Sequence, residues 1–437
     1  MKWLLLAISF NLAAAQIPED VQHEADQRVK HNYNQGIVLG VYENQSRAYH
    51  ISGWANKENK IKLNKQSVFE IGSITKTMTA LLLAEAVVKN KVSLDDHIDN
   101  LLPTELKFTS PKAITLKQLS THSSGLPRLP SNQKNIMGKD PYADYQREDL
   151  LAAISDQTVS PNQQHYAYSN YGVGLLGEAL AILNQDSYQN LLKKRVFEPL
   201  NMNNSYADAS LVPEDRRVTG YAGKYAVPNW HFKALAGAGS VNSSIEDLLT
   251  FGIAILKADH PELKQAIALS KQIHYQDRGV TLGLNWHINK GVLWHNGGTA
   301  GFRSILMIDP EQEKVVAAIT NQAEHAVEDM AGHLLKPENE MKSYDFPVEI
   351  SEDELKAYTG TFHNKVNDKT IKTSIKDGFL MLHFPKQPAY RLTYLGQNKF
   401  IMKLTKTRIR FETKSSGQFK QLYFKAWGDE QLYQRVE

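Results

Sequence analysis

Cysteine is absent from this 437-residue sequence, which excludes disulfide bonds, thiolate catalysis and cysteine-ligated metal sites. After its N-terminal segment the sequence also lacks a long apolar run, since none reaches the roughly 18 residues that a membrane-spanning helix needs. A strong charge of one sign is missing: 50 basic and 47 acidic residues leave a net charge of +3, and no long basic run predicts nucleic-acid binding. None of the 15 histidines forms a His-Glu-x-x-His motif, so no metal or other cofactor is predicted. These absences favour small-molecule or peptide partners.

The N-terminal residues 1–15 have the composition of a secretory signal peptide. A single basic residue, Lys2, precedes an apolar segment, and Ala13-Ala14-Ala15 offers a small-residue cleavage site before Gln16. An ordinary buried N-terminus is the alternative. Because no cysteine follows the cleavage site, export would release the chain without a lipid anchor. We therefore expect a periplasmic or secreted protein.

Strand patterns divide the rest of the chain into two predicted domains. Residues 16–335 contain an N-terminal hairpin and strand-like segments from Thr281 to Thr320, which we expect to pair into one antiparallel sheet. Residues 336–350 are polar and contain proline, which is typical of a linker. In residues 351–437, seven or eight short alternating runs predict a small closed or nearly closed β-barrel with a filled core, a binding cavity being the alternative.

The most informative stretch runs from Phe69 to Lys76. An apolar run with a glycine hinge leads there into a strongly helical segment, so Ser73 is predicted at a helix start. Ser73 and Lys76 then lie on one helix face, where the amine can reach the hydroxyl. Unpaired N–H groups at the helix N-terminus favour an oxyanion beside the serine. Standing alone, however, a Ser-x-x-Lys motif is more typical of a solvated helix with a serine N-cap.

Two further stretches resemble functional motifs, but their residues favour structural roles. Residues 172–177 match Gly-x-Gly-x-x-Gly, but the preceding stretch is polar and tyrosine-rich, whereas a dinucleotide loop follows a strand. We expect these glycines to let a buried helix pack closely against a neighbour. The loop from Thr121 to Pro127 is interpreted as a hydrogen-bonded turn, with a second polar site as the alternative.

The remaining motifs supply the parts that acyl transfer needs. Ser73 is the predicted nucleophile, and either Lys76 or Tyr168 could act as the base if its pKa is lowered. Asn170, two residues after Tyr168, is predicted to hold Lys76 through its carbonyl and a substrate amide through its amino group.

A glycine-containing stretch around His295 looks like an edge strand against which a substrate backbone can lie. Asn296 and Gly297 are predicted to contact the substrate, and the N–H groups of Gly298 and Ser73 are predicted to form the oxyanion hole. His295 is predicted to donate a hydrogen bond or carry a proton near pH 7, a structural histidine being the alternative.

The motifs Ser73–Lys76, Tyr168–Asn170 and His295–Gly297, in this order, resemble those of the penicillin-binding serine enzymes. That family includes class C β-lactamases, D-alanyl-D-alanine carboxypeptidases, D-amino-acid-specific peptidases and related esterases. The resemblance covers about Ile37 to Asn321. It implies an α/β (α+β) fold in which a helical subdomain lies beside an antiparallel sheet flanked by helices, with the nucleophile between them. The trailing barrel is similar to the lipocalin-like domain behind some family peptidases.

Two departures from the family pattern bear on the substrate. The third motif reads His295-Asn296-Gly297 where efficient β-lactamases have Lys-Thr-Gly, and Leu129 stands where class C enzymes have a glutamine. The resemblance therefore implies an exported serine hydrolase that acylates Ser73 and acts on D-amino-acid peptides or peptidoglycan. β-Lactamase or esterase activity is the alternative within the family. A non-catalytic protein that binds the cell wall is the alternative from another class.

Overall fold

The computed structural model describes residues 14–103, 114–136, 138–155, 165–402, 404–425 and 430–436. Most of the predicted signal peptide, residues 1–13, lies outside the described residues. The chain divides into two compact units between Lys342 and Ser343, inside the stretch predicted as a linker. In the described part of the chain, no helix combines the length and apolar character needed to cross a membrane.

The first unit contains helices α1–α9 and the second contains α10. Their bounds are α1 Glu19–Lys30, α2 Thr75–Val88, α3 Leu116–Ser120, α4 Arg147–Ser155, α5 Asn170–Asn184, α6 Tyr188–Leu192, α7 Ile245–Lys257, α8 Lys264–Lys271, α9 Glu328–Leu335 and α10 Glu352–Leu355. The strands of the first unit are β1 Gly36–Glu43, β2 Ser46–Asn56, β3 Ile61–Lys62, β4 Val68–Glu70, β5 Ser205–Tyr206, β6 Gly220–Ala222, β7 Tyr225–Val227, β8 Asn242–Ser244, β9 Tyr275–Asp277, β10 Val280–Leu282, β11 His287–Asn289, β12 Val292–Gly298, β13 Arg303–Asp309 and β14 Lys314–Thr320.

The strands of the second unit follow in chain order. They are β15 Gly360–Asn364, β16 Lys369–Lys376, β17 Phe379–His383, β18 Tyr390–Arg391, β19 Thr393–Gly396, β20 Lys399–Met402, β21 Thr407–Ser415, β22 Gln418–Lys425 and β23 Gln431–Arg435.

The main sheet of the first unit is antiparallel, with the strand order β3-β2-β1-β14-β13-β12-β11-β10-β9. The N-terminal hairpin therefore pairs with the late strands through β1 and β14, in a register that sets Ile37 opposite Thr320. This is the single sheet that the strand pattern predicts. Strand β12, on the other side of β13 in this sheet, carries the third predicted motif, His295-Asn296-Gly297.

Different helices cover the two faces of this sheet. Ile37, Leu39 and Val41 of β1 belong to a core shared with α1 and α9, whereas Val38 and Tyr42 belong to the core that contains α7. Such alternation is the period-two pattern of a strand buried on both faces. Together with the helical part around α2 and α5, this arrangement confirms the predicted fold class.

The second unit is a nearly closed barrel of nine strands among the described residues, ordered β18-β17-β16-β15-β23-β22-β21-β20-β19. Its end strands β18 and β19 are separated only by Leu392, so the chain itself links the two edges. Aromatic rings fill the interior, where Tyr358 lies 4.6 Å from Phe419 and 4.9 Å from Phe400, measured between centroids. The barrel prediction is confirmed, and β15 together with the break at Leu392 accounts for the larger number of strands.

Candidate active site

Ser73 lies in a 3-10 turn, Gly72–Ile74, that leads directly into α2. Gly72 has a φ of 51°, a left-handed conformation that glycine adopts without strain, and it allows the sharp turn out of β4. Within the described residues no side chain caps this end of α2, and most of the helix is buried. The alternative of a solvated helix with a serine cap is therefore wrong.

Lys76 reaches Ser73 from one turn further along the helix. Its Nζ lies 3.0 Å from Ser73 Oγ and donates a second hydrogen bond, 2.5 Å long, to the carbonyl oxygen of Ala238. Ala238 is held nearby because its turn packs tightly on α5: a Cβ added to Gly177 would lie 2.9 Å from the Cα of Gly237. The glycines of the 172–177 motif thus serve close packing, as predicted.

The Lys76 amine is fully buried and has no acidic partner among the described residues. Burial, assisted by the positive charge of Arg128, lowers the pKa of Lys76 well below its usual value of 10.5. A neutral amine beside a serine hydroxyl can accept the proton of that hydroxyl. The geometry and the electrostatics therefore both suit Lys76 to the role of base.

Tyr168 also contacts Ser73, and its ring centroid lies 5.0 Å from Lys76 Nζ and 5.2 Å from the guanidinium carbon of Arg128. Burial raises the pKa of Tyr168 to about 12, although its hydrogen bond to Ser73 and the charge of Arg128 both lower it. A lowered phenol pKa, the condition for Tyr168 to act as the base, is not met, because loss of hydration outweighs the charge of Arg128. Tyr168 is consequently a proton donor at neutral pH.

Strand β12 lies directly against the nucleophile turn. Ser304 of the neighbouring strand donates a 2.9 Å hydrogen bond to the carbonyl oxygen of Ile71, and a Cβ on Gly297 would come within 2.0 Å of that oxygen. In the same way, a Cβ on Gly72 would lie 2.9 Å from the backbone nitrogen of Gly298. Only glycines permit this approach, which brings the N–H of Gly298 next to the turn that carries Ser73.

His295 is buried on the same strand. Its Nδ1–H donates to the carbonyl oxygen of Asn296 at 2.6 Å, which leaves Nε2 as a bare, buried acceptor without a partner among the described residues. Burial, followed by the neighbouring His287 and Lys76, lowers the pKa of His295 well below 6.5. The ring is therefore neutral at pH 7, and the predicted donor role fails for Nε2 because the proton is on Nδ1.

The predicted contact between Asn170 and Lys76 is not formed, and the Asn296 side chain binds Glu328. The Asn170 amide donates a 3.4 Å hydrogen bond to Tyr142, and its carbonyl oxygen has no partner among the described residues, so it does not hold Lys76. The Asn296 side chain donates to Glu328 of α9 at 3.4 Å. Because neighbouring residues of a strand face opposite sides, Asn296 points away from the site that His295 faces.

The Thr121–Pro127 loop contributes a residue that the sequence interpretation missed. It is a turn, as predicted, but it places His122 against Tyr168 with ring centroids 4.4 Å apart. His122 Nδ1 accepts a 3.1 Å hydrogen bond from the backbone N–H of Ser169, which fixes the residue that follows Tyr168. The polar composition of the loop was the only signal, and it also fits an ordinary turn.

Comparison with known proteins agrees with this geometry. Residues 21–336 match the family model described as beta-lactamase. A beta-lactamase of Escherichia coli K12 is 27% identical over 65% of this chain and 74% of its own length. Penicillin-binding protein 4* of Bacillus subtilis is 24% identical over 77% of this chain and 79% of its own. The D-alanyl-D-alanine-carboxypeptidase/endopeptidase AmpH of E. coli K12 is 25% identical over 63% and 77%.

Solved structures show the same fold. A class C beta-lactamase from Rhodobacter sphaeroides superimposes with a TM-score of 0.61 at 23% identity, covering 70% of this chain and 95% of that one. Another class C beta-lactamase gives a TM-score of 0.65 at 21% identity and covers 76% of this chain and 99% of that one.

Proposed function

The chain belongs to the beta-lactamase family of serine hydrolases, and we propose that it is a peptidase of D-amino-acid peptides or peptidoglycan stems that works through an acyl-enzyme on Ser73. The observation that carries this proposal is the buried Lys76 amine, 3.0 Å from Ser73 Oγ and without an acidic partner among the described residues.

Acylation begins with transfer of the Ser73 hydroxyl proton to the neutral amine of Lys76. As Ser73 Oγ bonds to the substrate carbonyl carbon, the carbonyl oxygen becomes an oxyanion that the N–H groups of Ser73 and Gly298 stabilise. Tyr168 then donates its phenol proton to the leaving amine, the carbon–nitrogen bond breaks, and the Lys76 ammonium returns the proton to Tyr168. Charge and protons balance, and the acyl group remains on Ser73.

Hydrolysis of the acyl-enzyme repeats these transfers with water. A water molecule gives one proton to the neutral Lys76 and bonds to the acyl carbon, and the same two N–H groups stabilise the second oxyanion. The Ser73–carbon bond then breaks, and Ser73 Oγ recovers a proton from Lys76. Since Lys76 and Tyr168 both end in their starting states, the enzyme is ready for another cycle.

The third motif supports a peptidase over a dedicated β-lactamase. Where efficient β-lactamases have a lysine, this chain has His295, whose low pKa makes it neutral at pH 7. No permanent cation at this position attracts the carboxylate of a β-lactam. Among the relatives, AmpH is named for carboxypeptidase and endopeptidase activity. β-Lactamase activity is the second candidate, because other relatives are named beta-lactamases.

A substrate panel distinguishes these activities. We expect the purified enzyme to release D-alanine from a D-alanyl-D-alanine peptide and to ignore the L-alanyl-L-alanine control, with nitrocefin turned over at least about 100-fold less efficiently, measured as kcat/KM. Ser73→Ala serves as the matched blank for contaminating hydrolases. Nitrocefin hydrolysis at the rate of dedicated β-lactamases, without D-alanine release, would reverse the assignment.

We also propose that the protein acts in the periplasm or outside the cell. Residues 1–15, with Ala13-Ala14-Ala15 before Gln16, support this location. In a Gram-negative expression host, N-terminal sequencing of the protein from the periplasmic fraction and the medium is expected to begin at Gln16. An uncleaved chain confined to the cytoplasm would contradict the assignment.

A further inference from the structure

Glu70 is a buried carboxylate that the proposed mechanism does not use. It ends β4, three residues before Ser73, and only 4% of its surface is exposed. Its Oε1 accepts two hydrogen bonds from one loop, at 2.7 Å from the Asn229 amide and at 2.9 Å from the backbone N–H of Trp230. The hydroxyl of Thr299, the residue after Gly298, faces the same carboxylate without completing a hydrogen bond.

No Lys, Arg or His of the described residues forms an ion pair with Glu70. Burial therefore dominates and raises the pKa of its carboxyl to about 6, while Thr299, Asn229 and Trp230 lower it and the negative charge of Asp140 raises it further. Glu70 is thus ionised at pH 7.5 and substantially protonated near pH 5.

The loop that Glu70 holds belongs to a wall of the site. The Trp230 ring packs edge-on against Tyr142, with centroids 5.2 Å apart, and Tyr142 accepts the hydrogen bond of Asn170. On the far side of the loop, Asp140 accepts from the backbone N–H and ring Nδ1–H of His231. Two carboxylates, Glu70 and Asp140, thus bind this loop. Of these two, Glu70 lies in the strand that leads to Ser73.

We propose that Glu70 is a positioning residue: its ionised carboxylate ties the Asn229–Trp230 loop to the nucleophile turn, and acid loosens this tie and weakens substrate binding. The inference rests on the proposed function, because it assigns substrate contact to that wall. Hydrogen bonds to an ionised carboxylate are about twice as strong as those to a neutral carbonyl. Protonation therefore weakens both loop contacts while Oε1 keeps its place as an acceptor.

Glu70→Gln mimics the protonated state, because the amide keeps the acceptor and the side-chain volume. We expect the wild-type KM for the best donor of the panel to rise as pH falls through about 6. In Glu70→Gln this ionisation disappears and KM at pH 7.5 is about tenfold higher, with kcat within about threefold of wild type. Glu70→Ala, which removes the acceptor, raises KM further.

Asp140→Asn is the matched control. Removing this negative charge should lower the pKa of Glu70 and move the wild-type ionisation to lower pH, instead of abolishing it. If Glu70→Gln keeps the acidic limb of KM, or if kcat alone falls, another group is responsible and the proposal is wrong.

A readout without substrate separates this inference from the proposed function. Because the folded pKa of Glu70 lies above its usual 4.5, Glu70 contributes stability that is present below pH 4.5 and lost as pH rises through about 6. The Tm of Glu70→Gln minus that of wild type should therefore increase between pH 4.5 and 7. An increase without turnover of any donor would support a Glu70 that ionises near pH 6 and reject the peptidase assignment, whereas a constant difference would show that Glu70 does not ionise in this range and would reject the proposal.

Discussion

Replacing Ser73 with alanine is expected to abolish covalent labelling by a fluorescent penicillin and to lower the kcat for the best donor of the panel at least about 10⁴-fold. Lys76 Nζ and the Tyr168 phenol both contact Ser73 Oγ, so the loss of this hydroxyl removes the nucleophile that they serve. Intact-mass spectrometry measures the adduct directly, and peptide mapping of the wild-type enzyme should place it on Ser73.

The stability of Ser73→Ala provides the control. Ser73 is only partly buried, and Lys76 keeps its second hydrogen bond to the Ala238 carbonyl, so we expect the free energy of unfolding to change by no more than about 1 kcal/mol. Loss of activity with an unchanged Tm would then be a chemical effect. Unchanged turnover by Ser73→Ala would contradict the acyl-enzyme mechanism and favour the alternative of a non-catalytic binding protein.

The fold class and the three motifs of the site can be predicted from the sequence because both depend on local patterns of residues. Short runs of mostly apolar residues predict β1, β13 and β14, and the helical stretch after Gly72 predicts α2. Positions that face the same side of a strand could have been derived as well. Since His295 and Gly297 share a face, period two already turns Asn296 toward the opposite side, where it binds Glu328.

The electrostatics of the site could not be predicted in this way. The pKa of Tyr168 depends on how completely distant segments exclude water from its ring, and His122, 46 positions earlier, is among those segments. The environment of Glu70 likewise depends on tertiary structure. Its position before the motif is visible in the sequence, but its partners Asn229 and Trp230 are brought to it by tertiary structure.

The second large effect is expected for Lys76→Met, which keeps the apolar stem of the side chain and removes the amine. We expect the rate of Ser73 acylation to fall about 10³-fold, which corresponds to roughly 4 kcal/mol of transition-state stabilisation. In the wild type, the rate should rise with pH as the Lys76 ammonium loses its proton and then level off, because the neutral amine is the base. In Lys76→Met this limb should vanish. Stopped-flow labelling across pH 5 to 9 measures both.

Tyr168→Phe distinguishes the two candidate bases. If Tyr168 donates a proton to the leaving group, its loss should slow amide substrates about 100-fold but activated esters less than about tenfold, since a good leaving group needs no proton. Lys76→Met should slow both classes equally, because the serine must be deprotonated in either case. If the phenolate were instead the base, the wild-type rate would continue to rise toward pH 12, where burial has moved the pKa of Tyr168, and Tyr168→Phe would slow esters as strongly as amides. That result would transfer the role of base from Lys76 to Tyr168.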